Sequence, residues 1–157
     1  MNGRSRMYQL AHQLPARLRE LDWVAILLVR LSVGLLFFES GRGKLFFRLE
    51  ELGEYFVDLG IPLPHLNALV VASLEFFGGA CLVLGVGTRV IALLLGFTML
   101  VAIITAQISE VHTLGDFLYL PEVLLAVLLT WLVFSGPGRV SVDHVLARRL
   151  GLNGRKA

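Results

Sequence analysis

A single cysteine, Cys81, excludes an intramolecular disulfide and a CxxC redox couple, and its place in an apolar run points to packing. The sequence has no CxxCH haem-attachment run, no glycine-rich phosphate loop and no pair of histidines within an apolar segment. Charge is scarce. Asp, Glu, Lys and Arg make up 17% of the residues against 56% hydrophobic, which is too apolar for a water-soluble domain of 157 residues. Polar stripes are missing too: VIALLLGFTMLVAII and EVLLAVLLTWLVF lack the polar face that each helix of a soluble bundle needs. No residue set in the chain can store electrons, so a redox role requires a partner subunit or a soluble donor.

Hydrophobic length is what the chain has. Four blocks, Trp23–Gly41, Leu66–Gly85, Arg89–Gln107 and Phe117–Phe134, each run about 18 to 20 residues, enough for a helix to cross a hydrocarbon core about 30 Å thick. The expected fold is all-α: an integral membrane four-helix bundle over residues 23–135, with a basic amphipathic segment at 1–22 and a basic tail at 136–157. No small-x-small cleavage site follows the basic leader, so the first block is expected to stay as a helix and not to leave as a signal peptide. Arg4, Arg6, Arg17 and Arg19 precede the first block, Arg89 follows the second, and Arg139, Arg148, Arg149, Arg155 and Lys156 follow the fourth, whereas Ser109–Asp116 holds no Lys or Arg. The positive-inside rule then predicts a multi-pass protein of the inner (plasma) membrane with both termini cytoplasmic. Arg42, Lys44 and Arg48 oppose that orientation and are outnumbered.

The connections are unequal. LGVGT, Leu84–Thr88, reads as a tight glycine turn that makes an antiparallel hairpin of the second and third helices. The first connection is too long for a plain loop, and in it Leu45, Leu49, Leu52, Phe56 and Leu59 recur at helical spacing, with Glu50, Glu51, Glu54 and Asp58 on another face. An amphipathic interfacial helix between helices 1 and 2 is expected, stopped by GIPLP, Gly60–Pro64. Val142–Leu150 reads as a short basic amphipathic helix with Ser141 as N-cap. The basic ends suit an anionic lipid surface better than nucleic acid.

The ionisable residues inside the blocks carry most of the functional signal. Measured from the cytoplasmic end at 1.5 Å per residue, Arg30 lies about 10 Å deep, Glu75 about 15 Å, Glu122 about 20 Å and Glu39 about 24 Å. A charge near the midplane costs at least about 2.5–3.5 kcal/mol, so these groups are expected to face inward and to be partnered. The spacing favours Arg30 with Glu75, a second carboxylate at Glu122, and a boundary pair of Glu39 with Lys44. Gly34 and Gly41 share the Arg30 face, and Gly78 and Gly79 follow Glu75, as small residues that let helices approach closely. A static pair that fixes register and a polar pocket opening outward through Glu39 are both compatible with this pattern. His65, Glu110, His112 and Asp116 collect on the outer side, but their spacing matches no metal signature and a solvated surface explains them, so no metal is expected.

With those residues in place, the chain resembles the DoxX family of integral membrane proteins. RLSVGLLFFESGRGKLF is similar to the family's opening helix, and LGIPLP, SLEFFGGACLVLGVGTR and GPGRVSVDHVL to its later landmarks, in order from Arg30 to His144. By position, the recurrent residues of the family fall on Arg30, Gly34, Gly41, Lys44, Glu75, Gly78, Gly79, Gly85, Arg89, Ser141 and Asp143, while Glu39 and Ser40 stand where a more neutral pair is usual. The resemblance implies a subunit of a redox or oxidative-stress detoxification complex, either quinone-interacting or membrane-anchoring, with a redox enzyme as partner. Residue chemistry agrees with a quinone as ligand, since an apolar cleft with a cation and a protonatable Glu suits a carbonyl oxygen. No intrinsic cofactor is expected. The alternatives are a non-catalytic scaffold or assembly factor, and a small-solute or proton-coupled permease, which four helices per chain would require to be a homo-oligomer.

Overall fold

The computed structural model describes residues 21–107 and 111–150, all of whose regular structure is helical. The basic segment expected at 1–22 lies almost wholly outside those residues, as do Glu110, Arg155 and Lys156. Helix α1 spans Asp22–Phe47, α2 Leu49–Asp58, α3 Pro64–Leu84 and α4 Thr88–Ala102, the last continued by a π turn at Ile103–Gln107. Helices α5, α6 and α7 follow at Leu114–Tyr119, Pro121–Ser135 and Val142–Arg149. Among the described residues three helices are long and apolar enough to cross a bilayer, namely α1, α3 and α4 with its π turn; α6 is apolar but 15 residues long. Large side chains such as Leu36, Phe77, Phe97 and Leu124 lie exposed along the bundle, as a lipid-facing surface requires.

Two expectations about boundaries need correction. The first helix does not stop at Gly41 but runs on to Phe47, because its glycines serve close packing instead of ending it. A β-carbon on Gly41 would run into the backbone of Phe76, and one on Gly79 into the backbone of Phe38. Gly34 joins the same α1–α3 seam, where an added β-carbon would lie 2.9 Å from Val83 Cγ2. Gly78 faces the other way, toward Ile91 and Leu95 of α4. The expected block Phe117–Phe134 is in fact two helices. Pro121 supplies no backbone N–H and forces Leu120 into an extended conformation (φ −64°, ψ 124°), so α5 ends there and α6 starts with Pro121 in its first turn.

The interfacial helix forms as α2. Glu50, Glu51, Glu54 and Asp58 are exposed, while Gly53 is buried against the ring of His65. The chain then reverses through Gly60 (φ 69°) and Leu63 (φ 49°) into α3. Helix α1 packs most extensively on α3 and α4 on α6, so the bundle is two pairs of helices. Val33, Phe37, Leu82, Ala92, Leu95, Met99, Leu129 and Leu132 form the core between them.

Candidate functional site

Buried Arg30 and half-buried Lys44 belong to different ends of the bundle. Arg30 and Lys44 are fourteen residues apart on α1, about 21 Å along its axis. The expected Arg30–Glu75 pair does not form. Arg30, 2% exposed, donates through Nη1 to the Pro137 carbonyl and through Nη2 to the Val140 carbonyl at 2.6 Å. The reason is register: Arg30 lies beside Gly85, at the end of α3, and Gly41 lies beside Glu75 and Phe76. Helix α1 therefore begins about eight residues, or about 12 Å, beyond the end of α3, and depths counted from level block ends mispair the two helices.

The rest of that end is closed by the same loop. Gly85 and Gly87 adopt positive φ (72° and 57°), and a β-carbon on Gly85 would lie 2.6 Å from both Arg30 Nη1 and Ser141 Cβ. Asp143 accepts from the N–H groups of Gly87 (2.9 Å) and Thr88 (3.2 Å), capping the start of α4, while its own N–H donates to the Gly85 carbonyl at 3.0 Å. Ser141 caps α7 by accepting from the His144 N–H at 3.1 Å. The LGVGT turn and the Gly136–Asp143 loop thus form one hydrogen-bonded unit around Arg30.

Toward the other end the two helix pairs part around a cavity of about 790 Å³, within the range typical of small-molecule sites. Its walls are mostly apolar and include Phe37, Phe56, Val71, Met99 and Leu125. On the α1/α3 wall, Lys44 Nζ lies 2.6 and 2.8 Å from the two oxygens of Glu75, and the Ser40 hydroxyl donates to Glu75 Oε2 at 2.9 Å. Ser40 and Lys44 are one helical turn apart, and the close approach at Gly41 between them brings α3 near enough for both to reach the carboxylate. The Glu75 side chain is 2% exposed and that of Lys44 28%. The expected Glu39–Lys44 pair is absent: Glu39 points outward, pairing with Arg42 at 2.7 Å at the exposed surface, and does not line the cavity.

The facing wall belongs to α4 and α6. Glu122, in the first turn of α6, lines the cavity with Gln107, whose Nε2 is 3.5 Å from Glu122 Oε1. Gln107 ends the π turn, and Ala102, Thr105 and Ala106 of the same stretch also line the cavity. A π turn widens a helix locally and is frequent at functional sites. Gln107 and Ser40 were not singled out from sequence as ligand contacts; an amide closing an apolar block and a hydroxyl one turn before Lys44 were the available signals.

Outside the membrane-spanning helices, the Thr113 side chain and, after it, the Thr113 and His112 N–H groups hold the Asp116 carboxyl below the usual carboxylate range. Among the described residues no three His, Cys, Asp or Glu side chains converge as a metal site would require.

The chain is similar in sequence to known proteins. Residues 25–108 match the DoxX family. A Bacillus subtilis protein named "Putative oxidoreductase CatD" is 34% identical over 86 residues, 55% of this chain and 62% of that relative, so the match spans less than two thirds of its length. "Uncharacterized membrane protein Rv3486" of Mycobacterium tuberculosis is 31% identical over 80% of this chain and 83% of the relative. "Inner membrane protein YqjF" of Escherichia coli is 26% identical over 84% of this chain and 99% of the relative. No solved structure matches the chain.

Proposed function

The chain belongs to the DoxX family, and from that premise we propose that it is a membrane subunit holding a quinone for a redox or oxidative-stress detoxification complex. The observation that carries this reading is the cavity of about 790 Å³ with the Lys44–Glu75 pair in one wall. Its apolar surface suits a quinone ring and isoprenoid tail, and the ammonium suits a carbonyl oxygen. Two of the three Lys44 protons go to Glu75, which leaves one for a ligand. The name of the Bacillus subtilis relative supports a redox setting. Electrons must come from a partner subunit or a soluble donor.

In this reading the protein is multi-pass in the cell's inner membrane with both termini cytoplasmic, as its basic ends suggest. The Arg30 knot then lies at the cytoplasmic face, and the cavity opens in the outer half of the bilayer. A second reading, a scaffold or assembly factor, draws on the complete engagement of Glu75 by Lys44 and Ser40, which also suits a pair that only fixes packing.

The test is extraction of small molecules bound to detergent-purified protein, wild type against Glu75→Gln. Quinone that co-purifies with the wild type and falls by tenfold or so in a folded Glu75→Gln protein supports the quinone subunit. Absence of any ligand, with partner capture unchanged, overturns it, and loss of folding in the variant favours the scaffold.

A further inference from the structure

We propose that Glu122, and not Glu75, is the carboxylate that touches the ligand, and that it selects ligands carrying an O–H or N–H donor. This rests on the reading of the cavity as a ligand site. The two carboxylates line one cavity from opposite walls, yet their hydrogen bonding differs. Both oxygens of Glu75 are in use: Oε1 takes Lys44 at 2.6 Å, and Oε2 takes Lys44 at 2.8 Å and Ser40 at 2.9 Å. Glu122 has one long contact, from Gln107 at 3.5 Å, near the limit for a hydrogen bond. Its Oε2 is buried and has no hydrogen-bond partner among the described residues.

A buried acceptor left without a donor is unfavourable, more so when charged. A carboxylate only accepts, so an ether or carbonyl oxygen brought against Glu122 leaves the deficit in place and adds repulsion between lone pairs. A hydroxyl or N–H removes it. On the facing wall the remaining Lys44 proton asks for an acceptor. The cavity is therefore polarised across its width: it wants an acceptor on the α1/α3 side and a donor on the α4/α6 side. Among quinones, the oxidised form offers acceptors at both oxygens, whereas the hydroquinone can accept at one and donate at the other. The site is thus built to hold the reduced form more tightly than the oxidised one.

The measurement is titration calorimetry on detergent-purified full-length protein with two probe pairs. One is a short-chain benzoquinone and its hydroquinone; the other, free of redox chemistry, is 1-naphthol and its methyl ether. Wild type is expected to bind the hydroxyl member of each pair about tenfold more tightly, the scale of a hydrogen bond to a charged group. Glu122→Leu should bring each pair within about threefold, mainly by weakening the hydroxyl member. Should that variant fail to fold, Glu122→Gln, whose amide both donates and accepts, is expected to narrow the gap in the same way. Equal binding of both members by the wild type, or an undiminished preference in the folded Glu122 variant, overturns the role of Glu122 while leaving a quinone-binding cavity intact. If no probe binds the wild type, both the inference and the cavity reading fall.

Discussion

The two ends of this bundle each hold a cation of the same helix, Arg30 buried and Lys44 half-buried, and they do it by opposite means. Arg30 is held by neutral backbone carbonyls in a loop that also caps α4 and packs on Gly85, so its surroundings are one hydrogen-bonded unit, although its Nε and the Thr88 hydroxyl have no partner among the described residues. Lys44 is held by a carboxylate at the margin of a cavity and, among the described residues, has one ammonium proton uncommitted. The planar guanidinium fork suits two fixed carbonyls, whereas an ammonium on a flexible stem can share itself between a partner and a ligand. One end is therefore suited to hold the helices in place and the other to interact.

Breaking the carboxylate end should have the largest effect. Lys44→Met leaves Glu75 buried without its cation, and a loss of about 3 kcal/mol in detergent unfolding is expected. Replacing both, Lys44→Met with Glu75→Leu, should restore much of it, giving a coupling energy above about 1.5 kcal/mol in a double-mutant cycle. Additive losses would mean that the pair is not a unit. At the closed end, Arg30→Lys keeps the charge but cannot bridge Pro137 and Val140 with a rigid fork. It should cost about 1–2 kcal/mol and raise hydrogen exchange in residues 136–150, with ligand binding in the cavity unchanged. Equal exchange at both ends would erase the contrast.

The smallest effect lies outside both ends, at the α5 capping box. The Asp116 carboxyl titrates lower in the folded protein than in the unfolded chain, so its contribution is present above the unfolded value and is lost as pH falls through the folded one. Hydrogen exchange over Leu114–Tyr119 should rise on acidification into that range, and Asp116→Asn should remove the dependence while leaving the Arg30 and Lys44 ends unchanged.

Helix placement was largely legible because apolar length and glycine turns are local signals. The α5–α6 break at Pro121 was visible but masked by the apolar run continuing through it. The partners of Arg30 were not legible, because Pro137 and Val140 contribute backbone carbonyls, which any residue could offer. Glu75 was correctly marked as buried and polar but assigned the wrong cation, since hydrophobicity locates a block and not the axial offset between two helices. Lys44 looked like a boundary residue because the apolar block was ended at Gly41; in three dimensions Gly41 is the contact that lets Lys44 reach inward. The residues to which the sequence resemblance pointed thereby divide into two sets, with Arg30, Gly85, Ser141 and Asp143 in the knot and Lys44 and Glu75 at the cavity.

The π turn at Ile103–Gln107 makes the chemistry of the cavity depend on winding as well as on side chains. A π turn holds one residue more than the α-helix around it, and each residue advances an α-helix by about 100°. Winding the same residues as a regular α-helix, with none removed, would carry Gln107 roughly 100° round the axis away from Glu122, whereas deleting one residue would leave it close to where it stands. Such rewinding would change the polarity of the wall facing Lys44 with every side chain still present, so the winding of this segment is itself a coded property of the site.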